Sequence, residues 1–350
     1  MEYIISGIQQ IGIGVRDVQA SFTWYLKNLG MDVKMFEEAA EAALMLPYTS
    51  GEVRSRHAIL AINLQGGGGF EIWQYTQRIP QAPSTLPQLG DLGIFAGIMR
   101  CRDIAGLHQS LAKSGNEPGS IYTAADGRQY FFFQDPFGNY FKALEDSYKF
   151  YATGHALGGP MGAVLGVADM DEAVALFQKI LGYDIVVEDF RGIDPACASL
   201  PGGAGEIRRV VLSHSTPRRG AFSRLIGPTR IELVQSLDRI PQRIFEGRDW
   251  GDLGFIHLCF DIHGMDALKK RCTDLGYPFT VDSANSFDMG EAAGRFAYIE
   301  LQGTLIEFVE THKIPLLKKL GWYIHLKGRN PEHPLPDWML KALRFTRQKA

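Results

Sequence analysis

The chain of 350 residues repeats itself at long range, and this repeat restricts its fold more than any other feature. The pattern Q-x-x-x-R-I-P-Q at residues 74–81 returns at residues 235–242, and the pattern G-D-L-G at 90–93 returns at 251–254. Both pairs are separated by 161 residues. A single offset for two unrelated motifs predicts that the second half of the chain duplicates the first, since a fixed period marks repeated structural units.

Each half divides further into two similar modules. In the first module, an alternating strand over residues 8–15 precedes a helix that begins after Asp17 and ends at Gly30. Three further strands are predicted at residues 32–37, 57–64 and 70–75. The second module starts at residue 93 and follows the same order. The sequence therefore predicts an α+β fold of four βαβββ modules.

The domain boundaries follow from the duplication. A joint is predicted at residues 146–160, where a Gly-Gly-Pro sequence occurs. We expect an N-terminal domain over residues 1–147, a C-terminal domain over 160–311 and a tail over 312–350. Within the tail, the residues after Pro336 predict a terminal helix that packs through one face, formed by Trp338, Met339, Ala342 and Leu343.

Composition excludes several classes of function. Hydrophobic residues make up 45% of the chain and charged residues 21%, as in ordinary globular proteins, and the net charge of −3 gives no reason to expect binding to nucleic acid or to an anionic membrane. The four cysteines form no C-x-x-C pair, which argues against a disulfide scaffold and fits a reducing compartment. We therefore expect a cytoplasmic protein, monomeric or homodimeric, whose partner is a small-molecule substrate.

Two polar residues interrupt apolar strands in the last module. His257 lies in the strand that opens this module, and Glu307 lies between Ile306 and Phe308 in the strand that closes it. A carboxylate in such a strand is costly unless it is solvated, paired or bound to a metal ion. These two residues are the first candidates for a functional site.

The module pattern, the opening strand and helix over residues 11–30 and the closing sequence QDPFGNYFKALE resemble the vicinal oxygen chelate superfamily. This group includes glyoxalase I, methylmalonyl-CoA epimerase, bleomycin resistance proteins and extradiol dioxygenases. The resemblance covers about residues 5–147 and 160–311. It implies that modules pair into two cup-shaped glyoxalase-like domains, but it leaves open whether they pair in chain order or exchange partners.

The resemblance also implies a divalent metal ion on the floor of a cup, bound by the first and last strands of two modules. In the C-terminal half, the corresponding metal ligands are Glu232, His257 and Glu307. The fourth position falls on Gly162, which leaves an open coordination place, as a catalytic metal requires. In the N-terminal half the same positions predict a degenerate cup, because they hold Gln10, Glu71, Ala96 and Lys142.

The chemistry implied by the resemblance is proton transfer. We expect a metal-dependent isomerase, epimerase or lyase that moves a proton next to a carbonyl of a keto-sugar, cyclitol or α-keto compound, through a metal-stabilised enediolate. Glu307 or Glu232 would serve as both metal ligand and catalytic base, and His257 as a ligand only. The metal would be manganese, zinc, iron, nickel or cobalt. Two-cup cyclitol epimerases have about this length and are the preferred subfamily.

Two other functions remain open. A non-haem iron(II) dioxygenase usually places histidines on the first strands of both catalytic modules, whereas here Gly162 replaces the first of them. A non-catalytic protein of the resistance type would bind a small ligand without a reaction. Metal content separates this binding protein from the enzymes, and oxygen consumption separates the dioxygenase from the isomerase.

Overall fold

Strands form most of the protein, and the described strands assemble into two curved sheets. The computed structural model describes residues 2–284, 287–288, 293–317, 321–326 and 328–349. Six short α-helices accompany the sheets in this part of the chain. None of these helices is both long enough and apolar enough to span a membrane. The predicted α+β class of four βαβββ modules is confirmed.

The elements follow the predicted module order. The first module contains β1 (Ile4–Gly14), α1 (Val18–Leu29), β2 (Val33–Glu41), β3 (Ser55–Ile62) and β4 (Gly69–Tyr75). The second contains β5 (Gly93–Cys101), α2 (Ile104–Lys113), β6 (Tyr122–Thr123), β7 (Gln129–Gln134) and β8 (Tyr140–Glu145). The third contains β9 (Leu157–Gly166), α3 (Met170–Lys179), β10 (Ile185–Ile193), β11 (Glu206–Ser213), α4 (Ser223–Ile226) and β12 (Arg230–Ser236). The fourth and the tail contain β13 (Gly254–His263), α5 (Met265–Asp274), β14 (Val281–Asp282), β15 (Phe287–Asp288), β16 (Ala293–Leu301), β17 (Thr304–Leu317), β18 (Trp322–His325) and α6 (Asp337–Lys341).

Local sequence signals explain the helix ends. The Asp17 side chain accepts a hydrogen bond from the Ala20 amide at the start of α1, and Gly30 ends this helix in a left-handed conformation with φ of 68°. Asp103 and Asp169 cap the starts of α2 and α3 in the same way. The first three modules therefore carry their own helix start signals, whereas α5 of the fourth module begins after Gly264 without a side-chain cap.

The modules exchange partners between the two halves of the chain. One sheet runs β14-β16-β17-β13-β1-β4-β3-β2, with β15 paired to β16 and β18 to β17, so it joins the first module to the fourth. The other runs β10-β11-β12-β9-β5-β8-β7-β6 and joins the second module to the third. The predicted halves, residues 1–147 and 160–311, reflect the duplication of the chain. Each sheet, however, takes one module from each half.

The central pairings of the two sheets are antiparallel, between β1 and β13 and between β5 and β9. The largest apolar core lies between the sheets and contains buried residues from every module, among them Ile11, Phe70, Phe141, Phe177 and Phe260. Burial of this shared core holds the two sheets together. The same core fixes the positions of the two cups, which open on the outer faces of the sheets.

The repeated motifs of the sequence join the exchanged modules. Arg78, in the first copy of R-I-P-Q, donates to Asp252 at 2.7 Å, and Asp252 lies in the G-D-L-G copy before β13. Arg239, in the second copy, donates to Asp91 before β5 at 2.5 Å. The Gln81 and Gln242 amides donate to the same two aspartates. Each copy of R-I-P-Q therefore binds the G-D-L-G loop of the module with which it shares a sheet.

Breaking one of these contacts should destabilise the protein. Asp252 is fully buried and accepts hydrogen bonds from Arg78 and from the Gln81 and Asp249 amides. We expect Asp252→Ala to lower the free energy of unfolding by about 3 kcal/mol, because the Arg78 guanidinium and two backbone amides would lose their buried hydrogen-bond acceptor. Urea unfolding followed by tryptophan fluorescence measures this loss. Asp274→Ala, which removes an exposed pair with Lys270, is the control and should change it by less than about 0.5 kcal/mol. Equal effects of the two substitutions would contradict the prediction.

Candidate metal centre

A row of polar side chains crosses four adjacent strands of the sheet that joins the first and fourth modules. Glu307 lies on β17, His257 on β13, Gln10 on β1 and Glu71 on β4. His257 Nε2 lies 3.2 Å from Glu307 Oε2 and 3.3 Å from Glu71 Oε2. Gln10 Nε2 donates to Glu71 Oε2 at 3.2 Å. The exchange of modules therefore assembles one polar site from both ends of the chain.

The strand register brings His257 and Glu71 together over a glycine. Gly12 is the cross-strand partner of His257 on one side and of Glu71 on the other. A Cβ atom at Gly12 would lie 2.5 Å from Cε1 of His257, which is too close for any side chain. The absence of a side chain at Gly12 therefore gives the imidazole room to reach across β1 toward the Glu71 carboxylate.

The site is deeply buried. The His257 side chain has no solvent exposure, and its ring stacks at 6.0 Å from the ring of Trp250. Tyr298 donates its hydroxyl to Glu307 Oε1 at 2.8 Å. Within the described part of the chain, both ring nitrogens of His257 and Glu307 Oε2 are buried without a hydrogen-bond partner of good geometry. Buried polar atoms are nearly always satisfied in native proteins, so these three indicate a missing partner.

The three ionisable groups perturb one another. Burial would lower the pKa of His257, but the Glu307 and Glu71 carboxylates outweigh it and raise that pKa above its ordinary value. Burial would raise the pKa of Glu71, but the His257 imidazole lowers it overall. Burial and the neighbouring Glu71 carboxylate raise the pKa of Glu307. Two carboxylates in a buried site with one histidine carry an excess of negative charge, which favours a cation between them.

The donor atoms fit a divalent metal ion. One ligand atom from each of Glu71, His257 and Glu307 lies within 4.8 Å of the other two. Adjacent ligands of an ion at about 2.1 Å lie roughly 3.0–3.4 Å apart, and the two separations from His257 Nε2 fall in this range. Imidazole and carboxylate ligands suit zinc, iron, nickel, cobalt and manganese. Gln10 provides an amide oxygen beside them as a further possible ligand.

The structure brings together two of the three metal ligands predicted from the sequence, His257 and Glu307, but not Glu232. Glu232 lies on β12 in the other sheet, where it accepts a hydrogen bond from Lys142 Nζ at 2.6 Å. Its predicted place is taken by Glu71, which lies 161 residues earlier in the chain. The offset of the repeat could have pointed to Glu71, but only the exchanged pairing shows which of the two glutamates reaches His257.

The second cup has the same layout with different chemistry. Its four equivalent positions run across β12, β9, β5 and β8, and they hold Glu232, Gly162, Ala96 and Lys142. Gly162 and Ala96 offer no ligands, and the ammonium of Lys142 neutralises the Glu232 carboxylate without a metal ion. The sequence predicted a degenerate cup in the N-terminal half. Ala96 and Lys142 do lie in a cup without a set of metal ligands, but this cup is formed by the second and third modules. Gln10 and Glu71 belong instead to the cup with His257.

A pocket of about 390 Å³ opens above the polar row. Glu71, Glu307, Gln10 and Tyr298 line its floor. Its walls are mostly apolar, and they come from β2, β3, α4, β16 and from Leu340 and Leu343 in the tail. A pocket of this size holds a small molecule, and its polar groups converge on one end.

Comparisons with known proteins agree with this geometry. Residues 7–143 match the family model described as the Glyoxalase/Bleomycin resistance protein/Dioxygenase superfamily. Glyoxalase I from Zea mays shares the fold with a TM-score of 0.52 and 12% identity, over 87% of this chain and 92% of its own. A putative dioxygenase from Bacillus subtilis has a TM-score of 0.54 and 15% identity, over 88% of this chain and 86% of its own. Comparison with curated protein sequences gives no match.

Identities of 12% and 15% carry information about the fold alone. The sequence pattern over residues 7–143 and the fold over most of the chain point to the same group. The match over residues 7–143 confirms the predicted resemblance to the vicinal oxygen chelate superfamily, and the fold is shared over most of the chain.

Proposed function

We propose that the protein is a divalent-metal-dependent isomerase, epimerase or lyase that moves a proton next to a carbonyl group of a small oxygenated substrate. The observation that carries this proposal is the pair of carboxylates, Glu71 and Glu307, that flank His257 on the floor of the pocket. A bound divalent ion would polarise a substrate oxygen and stabilise the negative charge that develops on it.

Different residues of the site would bind the metal ion and transfer the proton. His257 acts as a ligand only, because both of its ring nitrogens are buried and Trp250 covers its face. Glu71 takes the role that the sequence had given to Glu232. Its hydrogen bond to Gln10 and its contact with His257 both use Oε2, which leaves Oε1 for a proton from the substrate. Glu307 is held by the Tyr298 hydroxyl, so we assign it to metal binding, and Glu71 returns to the substrate the proton that it has taken.

The ligand types favour proton transfer over oxygen chemistry. The described site offers one histidine and two glutamates, whereas iron(II) oxygenases typically use two histidines and one carboxylate. Carboxylates are also the general bases that proton abstraction beside a carbonyl requires. The cytoplasmic location and the monomeric or homodimeric state stay predictions from the sequence.

The test combines metal analysis with isotope exchange. We expect about one divalent ion per chain in the purified protein, and none in His257→Ala. The loaded protein should catalyse exchange of the protons next to the carbonyl in a panel of 2-hydroxyketones and 2-keto acids in D₂O, followed by NMR. Consumption of oxygen by the iron-loaded protein, without such exchange, would replace the proposal with a dioxygenase. Failure to bind any divalent ion would leave a ligand-binding protein.

A further inference from the structure

The C-terminal segment, residues 331–349, lies outside the four modules but is fixed against the first of them. Arg347 Nε donates to Asp32 Oδ2 at 2.8 Å, and the Gln348 amide donates to the Asp32 carbonyl at 2.7 Å. His155 Nε2 lies 2.9 Å from the same carboxylate. The Leu335 amide donates to the Ala221 carbonyl, just before α4. These contacts hold the segment over one side of the metal-site pocket.

The packing of this segment differs from the predicted helical face. The α-helix α6 ends at Lys341 and continues as a 3₁₀-helix over Ala342–Thr346, so the period changes from 3.6 to about 3 residues. Leu340 and Leu343 are buried as a result. Trp338, which the sequence placed on the buried face, is 62% exposed.

Leu340 and Leu343 form part of the pocket wall. They line it together with Leu225 of α4 and with Met35 and Ile62 of the first module. All five belong to one apolar cluster or pack against it. This part of the wall is therefore built from three distant parts of the chain, and its five side chains offer a substrate apolar contacts.

The charges of the pocket are unsuitable for an anionic substrate. Arg56 is the basic residue among the described lining residues, and its guanidinium pairs with Glu38 at 3.0 Å. Glu41 adds a second carboxylate to the wall, and Glu71 and Glu307 offset a divalent ion on the floor. A phosphate or carboxylate group bound away from the metal would lose its hydration in this pocket. It would find no unpaired cation among the described lining residues in return.

We propose that the substrate carries an uncharged, apolar body beside the oxygen atoms that face the metal-binding floor, and that the C-terminal segment selects this body through Leu340 and Leu343. This inference rests on the proposed function for the metal-binding floor. It disfavours keto-sugar and cyclitol substrates, which the sequence led us to expect, at the part of the pocket formed by Leu340, Leu343 and Met35, because hydroxyl groups placed there would lie against apolar side chains.

Three hydroxamic acids that chelate a divalent ion through the same two oxygens test the proposal. With the cobalt(II)-loaded protein in a calorimeter, benzohydroxamate should bind at least about tenfold tighter than acetohydroxamate, because its ring buries more apolar surface. The 4-carboxy derivative of benzohydroxamate should lose this gain. Equal or tighter binding of the carboxylated probe would overturn the proposal.

Substitutions in the C-terminal segment test the role of its wall residues. Leu343→Ala should weaken benzohydroxamate about three- to tenfold and leave acetohydroxamate unchanged. Phe345→Ala is the matched control, since Phe345 is 69% exposed on the same segment. Thermal melting and cobalt content verify that both variants fold. If a variant does not fold, the ranking of the three probes is still measured on the unchanged protein. Equal effects of both substitutions would overturn the role of the segment.

The same experiment separates this inference from the function on which it rests. Absence of cobalt binding to the unchanged protein overturns both the proposed function and the substrate class. Binding of one cobalt ion per chain with the wrong ranking of probes overturns the substrate class alone.

Discussion

Replacing Glu71 with glutamine is expected to lower the affinity for a divalent metal ion by more than about 100-fold. Loss of an outer partner of a metal ligand typically costs about 10–100-fold. Loss of Glu71 should cost more, because we propose it as a ligand itself, with its carboxylate 3.3 Å from His257 Nε2. Glutamine keeps the size of the side chain and removes its negative charge. Competition with a chromophoric chelator measures the affinity, and the isotope-exchange activity should fall with it.

The equivalent residue of the repeat provides the control. Glu232→Gln changes the glutamate that the sequence placed beside His257, but the structure places it next to Lys142. We expect this variant to retain the metal affinity of the unchanged protein. Loss of metal in Glu232→Gln, with retention in Glu71→Gln, would mean that the modules pair in chain order and would overturn the exchanged arrangement of the sheets.

Replacing Lys142 with methionine is expected to lower the free energy of unfolding by about 3–5 kcal/mol at pH 7. Both Lys142 and Glu232 are buried, so the variant would leave a carboxylate in the protein interior without its ammonium partner. Arg209 and Arg230 lie nearby and would compensate only in part, since each already pairs with another acidic residue. Chemical unfolding followed by circular dichroism measures the loss.

The pH dependence of this effect has a definite sign. Burial would raise the pKa of Glu232, but Lys142 and Arg209 lower it overall in the folded protein. The stabilisation is therefore fully present above the ordinary pKa of glutamate, about 4.3, and is lost as the pH falls through the lower folded value. Without Lys142 the carboxyl group takes up a proton more easily, so the deficit of the variant should shrink as the pH is lowered from 7 toward 5.

A double variant checks the cause. Lys142→Met with Glu232→Gln removes both charges, and we expect it to recover most of the stability lost in the single variant. If the double variant is as unstable as Lys142→Met alone, then packing around residue 142 is responsible and the ion pair contributes little.

Much of the fold could be predicted from the sequence because its signals are local. In the first module, for example, the cap at Asp17, the left-handed end at Gly30 and the alternating strands are all signals from residues close together in the chain. The same local signals exposed His257 and Glu307, because a polar residue inside an apolar strand needs a partner. Neither conclusion depends on how the modules are arranged in space.

The sequence by itself determined four repeated modules, the resemblance to a superfamily and two of the three residues that we propose as metal ligands. Tertiary structure decided the third, because Glu71 and Glu232 hold the same position in two copies of one repeat. Local patterns cannot tell which copy faces His257. That choice depends on the pairing of β1 with β13 and on the burial of one core shared by all four modules, which are long-range interactions. The terminal helix with Leu340 and Leu343 is a further example. The sequence predicted this helix, but only tertiary packing places the two leucines in the pocket wall.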